Sequence, residues 1–145
     1  MALTVHVDLV SAERTIHSGP AEMVFAPSMM GEVGILPLHA PMLAVMRAGE
    51  VRLREPGGEQ RSFFVSGGIL EVQPSGVTLL CDTVLRAEDI DEMEAAAARD
   101  LAERALKGER VRLDPAHAHA LLAEAQAKLR VVRIATLRSE TNSRP

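Results

Sequence analysis

Residues 51–72 have the sequence VRLREPGGEQRSFFVSGGILEV, in which two turn signals separate three short apolar segments. Val51–Arg54 alternates apolar and polar residues with a period of two, which is typical of a strand with one buried face. At positions 55–58, proline presets the first turn position and glycine permits a left-handed second one. The return segment Arg61–Val65 ends at the SGG sequence of residues 66–68. These signals predict a β-hairpin.

The same pattern extends over residues 1–84. Thr4–Val10 alternates with a period of two, and Ile69–Val72, a QPSG turn at 73–76 and Val77–Val84 predict a second hairpin. Six of the eight prolines lie in this half, where they interrupt the strands. Short strands with turn signals about every 8–12 residues are typical of all-β domains, so the pattern predicts an antiparallel sandwich or barrel.

Residues 86–138 have a helical pattern instead. Acidic residues at 88–92 suit the dipole of a helix start, Lys107–Gly108 is a stop signal, and Asp114–Pro115 is a second start. The predicted apolar stripes are Ile90, Met93, Ala97, Leu101 and Ala105 in the first helix, and Ala118, Leu122, Ala125, Leu129 and Val132 in the second. Two helices joined by a short loop predict an antiparallel hairpin, with a boundary near Leu85.

The two helices are rich in alanine. The alanines expected to face one another are Ala95–Ala98, Ala102 and Ala105 in the first helix, and Ala118, Ala123, Ala125 and Ala127 in the second. A buried methyl group is worth only about 0.8 kcal/mol, whereas alanine has the best helix propensity. The composition therefore predicts helices that persist while their docking is weak, as a mobile hairpin on a rigid β body.

Composition excludes several classes of function. Aromatic residues make up 2% of the chain, with three Phe and no Trp or Tyr, which argues against a base-stacking nucleic-acid binder. The net charge of −4 argues against a general polyanion binder. Cys81 is the single cysteine and alternates with Val77 and Leu79, so we expect a buried thiol, no disulfide and no cysteine-built zinc site. No apolar run approaches the roughly 18 residues of a membrane span, and no signal sequence is recognisable.

The residues capable of chemistry form no catalytic pattern. The GEVG segment at 31–34 lacks the lysine and spacing of a phosphate-binding loop. His117 and His119 would lie about 200° apart on a helix, too far around it to share a metal. We expect no metal and no cofactor. A small hydrolase that uses His39 with Ser66 stays open as an alternative, although no third group to orient the histidine is evident.

Charge is distributed unevenly along the chain. Residues 1–84 carry five basic and nine acidic residues, whereas from Arg104 onward nine basic residues stand against four acidic ones. The basic residues in or near the last helix are Lys128, Arg130, Arg133 and Arg138. Two interpretations stay open: a solvated face with salt bridges to the acidic first helix, or a basic helix that leaves its partner helix for an acidic protein surface.

Four segments resemble the epsilon subunit of the F-type rotary ATP synthase. They are residues 5–13 (VHVDLVSAE), 31–41 (GEVGILPLHAP), 64–74 (FVSGGILEVQP) and 129–132 (LRVV). The resemblance covers residues 1–135 and implies a β + α fold. Residues 1–85 would form an antiparallel β-sandwich of about ten strands, and residues 86–145 a regulatory two-helix hairpin with a short flexible tail.

The resemblance also implies a function without a catalytic centre of its own. Such subunits lie in the central stalk, where they contact the gamma subunit and the c-ring. In several bacteria their helices also extend into the alpha–beta catalytic head and inhibit ATP hydrolysis. The implied interface residues here are Gly31, Glu32, Val33 and His39. We expect residues 31–35 to be an exposed loop made flexible by its glycines, with Glu32 as its single charge, available to pair with the c-ring. The chain would be peripheral to the bacterial inner membrane, on its cytoplasmic side and attached through the complex, and monomeric when isolated. A stand-alone adaptor whose hairpin grips another partner is the alternative.

One family motif is altered. Members that bind ATP in the hairpin have Ile/Leu-Asp-x-x-Arg-Ala at the first helix, whereas this chain has Ile90, Asp91, Glu94 and Ala95 at the corresponding positions. A carboxylate repels a triphosphate where a guanidinium would pair with it. We therefore expect weak ATP binding or none.

Overall fold

The computed structural model describes residues 3–142 and contains ten strands followed by two helices. The strands are β1 (Val5–Val10), β2 (Thr15–Ala21), β3 (Met23–Ser28), β4 (Gly31–Ile35), β5 (Met42–Met46), β6 (Gly49–Arg54), β7 (Gln60–Val65), β8 (Gly68–Gln73), β9 (Gly76–Cys81) and β10 (Val84–Arg86). A short 3-10 helix (Ala87–Asp89) leads to α1 (Glu92–Leu106) and α2 (Pro115–Asn142). The predicted fold class, a β-sandwich followed by a helical hairpin, is confirmed.

The strands form one hydrogen-bonded path in the order β10-β7-β6-β3-β5-β8-β9-β1-β2, and β4 pairs with β3. Only Ser28 and Met46 pair between β3 and β5, so the path bends there into two layers. The first layer contains β3, β4, β6, β7 and β10, and the second contains β1, β2, β5, β8 and β9. The predicted antiparallel pairing is wrong in one place, because β1 runs parallel to β9.

The corner between β7 and β8 depends on two glycines. Gly67 and Gly68 have φ angles of 115° and 145°, which are unfavourable for residues with a Cβ atom. A Cβ atom on Gly68 would also overlap the carbonyl oxygen of Leu80 on β9. The SGG turn signal therefore marks both a backbone conformation and a close approach of two strands.

Two segments differ from the predicted strands. Gly31–Ile35, interpreted from its glycines as part of an exposed loop, is strand β4, and its residue Ile35 is fully buried. The strand predicted at Val77–Val84 is interrupted after Cys81, so that β10 pairs with β7 in the other layer.

The sandwich has a core of its own. Its fully buried side chains come from both layers and include Leu9, Ile35, Leu53, Leu70 and Leu79. No residue of α1 or α2 within the described part of the chain belongs to this cluster. The β-sandwich thus excludes water from its interior without help from the helices.

The helical hairpin packs on alanine. Ala95 and Ala102 of α1 and Ala118 and Ala125 of α2 are buried, and each pair is spaced by seven residues, so that each lies on one helix face. The predicted seam is correct at these positions, but Ala123 is exposed. The predicted stripe on α1 is wrong as a buried face. Its large members Met93 and Leu101 are 85% and 40% exposed, and Ala97 is exposed as well.

A second face of α2 contacts the sandwich. Ala127 and Val131 are buried against Phe64 on the outer side of β7, with Leu85 and Ile90 packed around them. This small cluster is separate from the sandwich core. The apolar contact through which the hairpin docks is therefore small.

The helix ends differ slightly from the expected ones. Asp91 caps α1 by accepting a hydrogen bond from the Glu94 N–H at 3.0 Å, so Glu88 and Asp89 precede the helix in the 3-10 turn. The second helix begins at Pro115 as predicted and continues to Asn142, beyond the expected end at residue 138. The last residues of the predicted flexible tail, 143–145, lie outside the described residues.

Candidate functional site

An apolar row crosses the outer face of the second layer. Val45, Ile69 and Leu80 are 60%, 44% and 51% exposed. Val45 pairs with Ile69, and Ile69 pairs with Leu80, so the three side chains lie side by side on adjacent strands. Leu43, 72% exposed, adds to the same face of β5 because it is two residues before Val45. The sandwich core does not use these side chains, and α2 packs on β6 and β7 in the other layer.

A second exposed apolar feature is the turn between β3 and β4. Met29 and Met30 are 67% and 95% exposed. The buried Ser28 shapes the turn: its hydroxyl donates to the Gly31 carbonyl at 2.6 Å and accepts from the Met30 N–H at 3.1 Å. Methionine side chains adapt to irregular surfaces, so a fixed backbone presents two adaptable contacts.

Glu32 follows this turn on β4 and already has a partner. Its Oε1 lies 2.7 Å from the Nη2 of Arg52 on β6. The sequence suggested a single charge free to pair outside the chain, and the structure shows an ion pair instead. Gly31 has a φ of 113° at the start of β4, and Val33 packs against the sandwich core.

His39 lies beyond the other end of β4. Three residues of this strand follow Glu32, a length of about 10 Å at roughly 3.3 Å per residue, and the His39 loop begins after them. His39 is half-buried, and its Nδ1 lies 2.7 Å from the Ala40 carbonyl oxygen. The exposed Leu36 and Leu38 flank it. The four interface residues expected from the resemblance thus occupy two separate places.

The hydrolase alternative is wrong on geometry. His39 precedes the Met42 end of β5, whereas Ser66 precedes Gly68, which pairs with Met46 at the opposite end. The length of β5 therefore separates the two side chains. The Ser66 hydroxyl instead accepts a hydrogen bond from the Thr83 N–H at 2.9 Å and holds the turn.

A polar cluster on β1 and β2 has no counterpart among the predicted site residues. The Ser18 hydroxyl donates to Asp8 Oδ1 at 2.6 Å, and His6 Nε2 lies 3.1 Å from the same oxygen and 3.2 Å from the hydroxyl. These hydrogen bonds lower the pKa of Asp8, the one from Ser18 most. Because the serine proton goes to the carboxylate, the imidazole is not placed to activate a nucleophile. The period-two alternation of residues 4–10 indicates which side chains share a face of β1. It does not indicate that β2 pairs with β1 and brings Ser18 opposite Asp8.

The predicted basic surface of α2 is divided. Lys128 Nζ lies 3.0 Å from Glu124 on the same helix and 5.1 Å from the centroid of the Phe64 ring. Arg138 pairs with Glu59 and donates to the Gln60 carbonyl at the tip of the β6–β7 hairpin. These ion pairs go to α2 itself and to the sandwich, not to α1 as one interpretation expected.

Arg130 and Arg133 are the other two members of this surface. Both are exposed, and together with Arg99 of α1 they line an open cleft between the helices. Three guanidinium groups and one carboxylate, Glu92, give this cleft a positive character. It suits an acidic partner surface.

The altered ATP motif has the opposite character. Asp91 and Glu94, with Asp89 and Glu124, line a cleft of about 280 Å³ in which Lys128 is the positive group. Ile90 packs toward Phe64 and Ala95 is buried between the helices. Lys128 is already paired with Glu124, so the cleft presents negative charge where a triphosphate would enter.

Other candidate groups are inert. The Cys81 thiol is buried, and burial raises its pKa to about 12. Within residues 3–142, no group of three or more His, Cys, Asp or Glu side chains is arranged to hold a metal ion. In the same range, neither helix combines the length and the apolar character needed to span a membrane.

Comparison with known proteins gives consistent matches. The family model of the ATP synthase delta/epsilon chain β-sandwich domain matches residues 4–87. The ATP synthase epsilon chain of Nitrosococcus oceani is 55% identical over 132 residues, covering 91% of this chain and 94% of that protein. The corresponding chain of Alkalilimnicola ehrlichii is 52% identical over 129 residues, covering 89% and 92%.

Two solved structures share the fold. A chain in the cryo-EM structure of the Euglena gracilis mitochondrial ATP synthase (OSCP/F1/c-ring, rotational state 1) aligns with a TM-score of 0.66 and 20% identity, over 93% of this chain and 81% of that chain. A chain in the Tetrahymena thermophila mitochondrial ATP synthase central stalk/c-ring structure aligns with a TM-score of 0.53 and 18% identity, over 90% and 95%.

Proposed function

The chain belongs to the ATP synthase epsilon chain family, and from this premise we propose that it couples proton translocation to ATP synthesis as part of the central stalk. It is a non-catalytic subunit. Residues 1–85 would be the stalk domain and residues 86–145 the regulatory one. Nucleotide chemistry would take place in the alpha–beta head. The adaptor alternative is not favoured by the relatives described above, which are named ATP synthase epsilon chains.

The observation that carries the stalk proposal is the apolar row of Val45, Ile69 and Leu80. It lies in the layer that does not carry the hairpin, so docked helices leave it accessible. Exposed apolar groups in contiguous rows mark protein interfaces. We assign this row to the gamma subunit, because a stalk subunit must hold its partner firmly while torque passes between them.

A substitution in the row tests this assignment. Ile69→Asp places a charge at its centre, and the loss of a central apolar contact is expected to weaken gamma binding by about 30-fold or more. Leu101→Asp is the matched control, since Leu101 on α1 is similarly exposed, at 40% against 44%. Equal affinities of the two variants for gamma, measured by surface plasmon resonance, would remove the assignment.

The turn of Met29 and Met30 is the proposed contact with the c-ring. It projects from one end of the first layer, and Gly31, Glu32 and Val33 continue from it into β4. His39, at the other end of β4, would instead border a separate part of the stalk interface. Attachment through these contacts would keep the chain peripheral, on the cytoplasmic side of a bacterial inner membrane. The isolated chain would be a monomer.

The hairpin is the proposed brake on ATP hydrolysis. Its docking rests on the small cluster around Phe64 and on the contacts of Arg138 with Glu59 and Gln60, so a few kcal/mol of differential binding is enough to shift it. The cleft with Arg130 and Arg133 supplies attraction to an acidic surface of the head. In the extended state the acidic surface of the head would hold the helices, and the helices would block rotation in the hydrolysis direction.

Reconstitution of the catalytic head measures this role directly. The chain truncated before Asp114 should leave assembly and proton-driven synthesis largely intact, whereas ATP hydrolysis should rise relative to the full chain. Replacing both Arg130 and Arg133 by Gln should reproduce part of the rise, more visibly at low salt because exposed charges are screened over about 8 Å at physiological ionic strength. Unchanged hydrolysis after truncation would mean that the hairpin is not a brake.

A further inference from the structure

Arg52 occupies an unusual position on the outer face of the first layer. Its guanidinium lies between two carboxylates, with Nη2 2.7 Å from Glu32 and Nε 3.4 Å from Glu50. The guanidinium carbon also lies 4.4 Å from the centroid of the Phe25 ring on β3. Stacking on an aromatic ring limits the positions that this side chain adopts. Arg52 therefore bridges the end of β4 that follows the methionine turn and the start of β6.

Glu50 connects this bridge with the helical hairpin. It pairs across the sheet with Phe64, the residue on which Ala127 and Val131 of α2 are packed. Its side chain is only 12% exposed, and within the described residues no hydrogen-bond partner reaches its buried Oε2. Burial raises the pKa of the Glu50 carboxyl, and the charges of Arg52 and Arg130 counteract this rise. The charge of this poorly solvated carboxylate, which lies near the middle of α2, is thus stabilised by two cations.

We propose that Arg52 is a positioning residue that links the state of Glu32 to the docking of α2. The link rests on the proposed function, in which Glu32 lies beside a partner contact and α2 leaves the sandwich. While Glu32 holds part of the Arg52 charge, Glu50 attracts Arg130 and so favours the docked helix. When a cationic group of a partner takes Glu32, Arg52 turns to Glu50, and the attraction for Arg130 falls.

The second ion pair on β6 provides an internal comparison. Arg54, at the end of β6, pairs with Glu22, which lies between β2 and β3, at 3.5 Å. Arg54 is two residues farther along β6 than Arg52 and pairs across the sheet with Gln60, whereas Glu50, the second partner of Arg52, pairs with Phe64. Glu22 is therefore a matched control for Glu32, because its loss removes a similar ion pair without freeing a cation for Glu50.

Hydrogen exchange of α2 in the full-length isolated chain tests the link. Glu32→Gln should speed the exchange of amides at residues 127–135 by about two- to fivefold, the size expected for partly exposed charge pairs. Arg130→Gln should have a similar effect, and the double variant should exchange more slowly than the product of the two effects predicts. In an Arg52→Met background, Glu32→Gln should have no effect on α2 and Arg130→Gln a larger one.

The controls separate the link from general loss of structure. Amides of β8 and β9 should keep their protection in every variant, and Glu22→Gln should leave α2 unchanged. Equal effects of Glu32→Gln with and without Arg52, or multiplicative effects of Glu32→Gln and Arg130→Gln, would overturn the proposal. The measurement needs no other subunit, so its failure would leave the truncation and gamma-binding results to decide the proposed function.

Discussion

The β-sandwich and the helical hairpin are stabilised in opposite ways. The sandwich buries large side chains such as Leu9, Leu53 and Leu79 completely, and both layers contribute to one core. The hairpin buries mainly alanine and leaves Met93 and Leu101 on its surface. Burial of a leucine contributes about 1.5–3 kcal/mol, roughly two to four times the value of one methyl group. One part of the chain is therefore held by its own core, whereas the other depends on what it docks against.

The largest expected effect lies in the sandwich core. Leu79→Ala should lower the free energy of unfolding by about 2–5 kcal/mol, because a fully buried leucine leaves a cavity. Leu101→Ala on α1 should change it by no more than about 0.5 kcal/mol, since that side chain is 40% exposed. Urea unfolding followed by circular dichroism measures both. Similar losses would contradict the contrast between the two regions.

Docking of the hairpin should be selectively sensitive at Val131. Val131→Ala removes two buried methyl groups opposite Phe64, about 1.6 kcal/mol at 0.8 per group, and should speed hydrogen exchange in α2 by roughly tenfold. The sandwich amides should be unaffected. Val132→Ala, in the neighbouring half-buried position on the cleft side, should have a much smaller effect on α2.

The acidic cleft beside α1 should exclude ATP. We expect isothermal titration calorimetry on the isolated chain to show a dissociation constant weaker than about 1 mM, corresponding to −4.1 kcal/mol. Glu94→Arg should tighten binding, because it replaces a negative group of the cleft by a guanidinium. A micromolar constant for the native chain would show that other residues compensate for Glu94.

The smallest expected effect is a pH dependence at the edge of the sandwich. His17 packs against Phe63, with 6.0 Å between ring centroids, and burial lowers its pKa below the ordinary value of 6.5. The unfolded chain binds the proton more readily, so stability should fall as pH decreases from about 6.5 toward the lower pKa of the folded state. His17→Gln should flatten the dependence of the melting temperature on pH between 8 and 5, on the order of a few degrees at most. His119→Gln, at an exposed position of α2, should not.

Local signals account for the parts of the fold that the sequence predicted. The EPGG turn specifies the β6–β7 hairpin because proline and glycine restrict the backbone at the tip. Period-two alternation correctly placed Cys81 in the buried face of β9, and the Asp114–Pro115 start signal correctly placed the start of α2. Each of these features depends on residues that are neighbours in the chain.

The remainder depends on residues that are distant in the chain. The two glycines of Gly31–Ile35 suggested a loop, but the complete pairing with β3 makes it a strand. Glu32 and Arg52 form an ion pair only because β4 and β6 lie on opposite sides of β3. The buried face of α1 also depends on a distant segment. It is the face that contacts α2, and not the face with the larger apolar residues.

The parallel pairing of β1 with β9 has a consequence for biosynthesis. Val7 on β1 pairs with Val77 on β9, so the first strand has to wait for the ninth before the second layer closes. At about 5–20 residues per second, the ribosome needs roughly 4–14 s to supply that distant strand. During this interval Leu9 and Val7 lack the partners that bury them in the finished sheet. The hairpin is translated only afterwards, so the emerging helices meet a body that has had time to form, and truncated products that stop before β9 should be captured by chaperones.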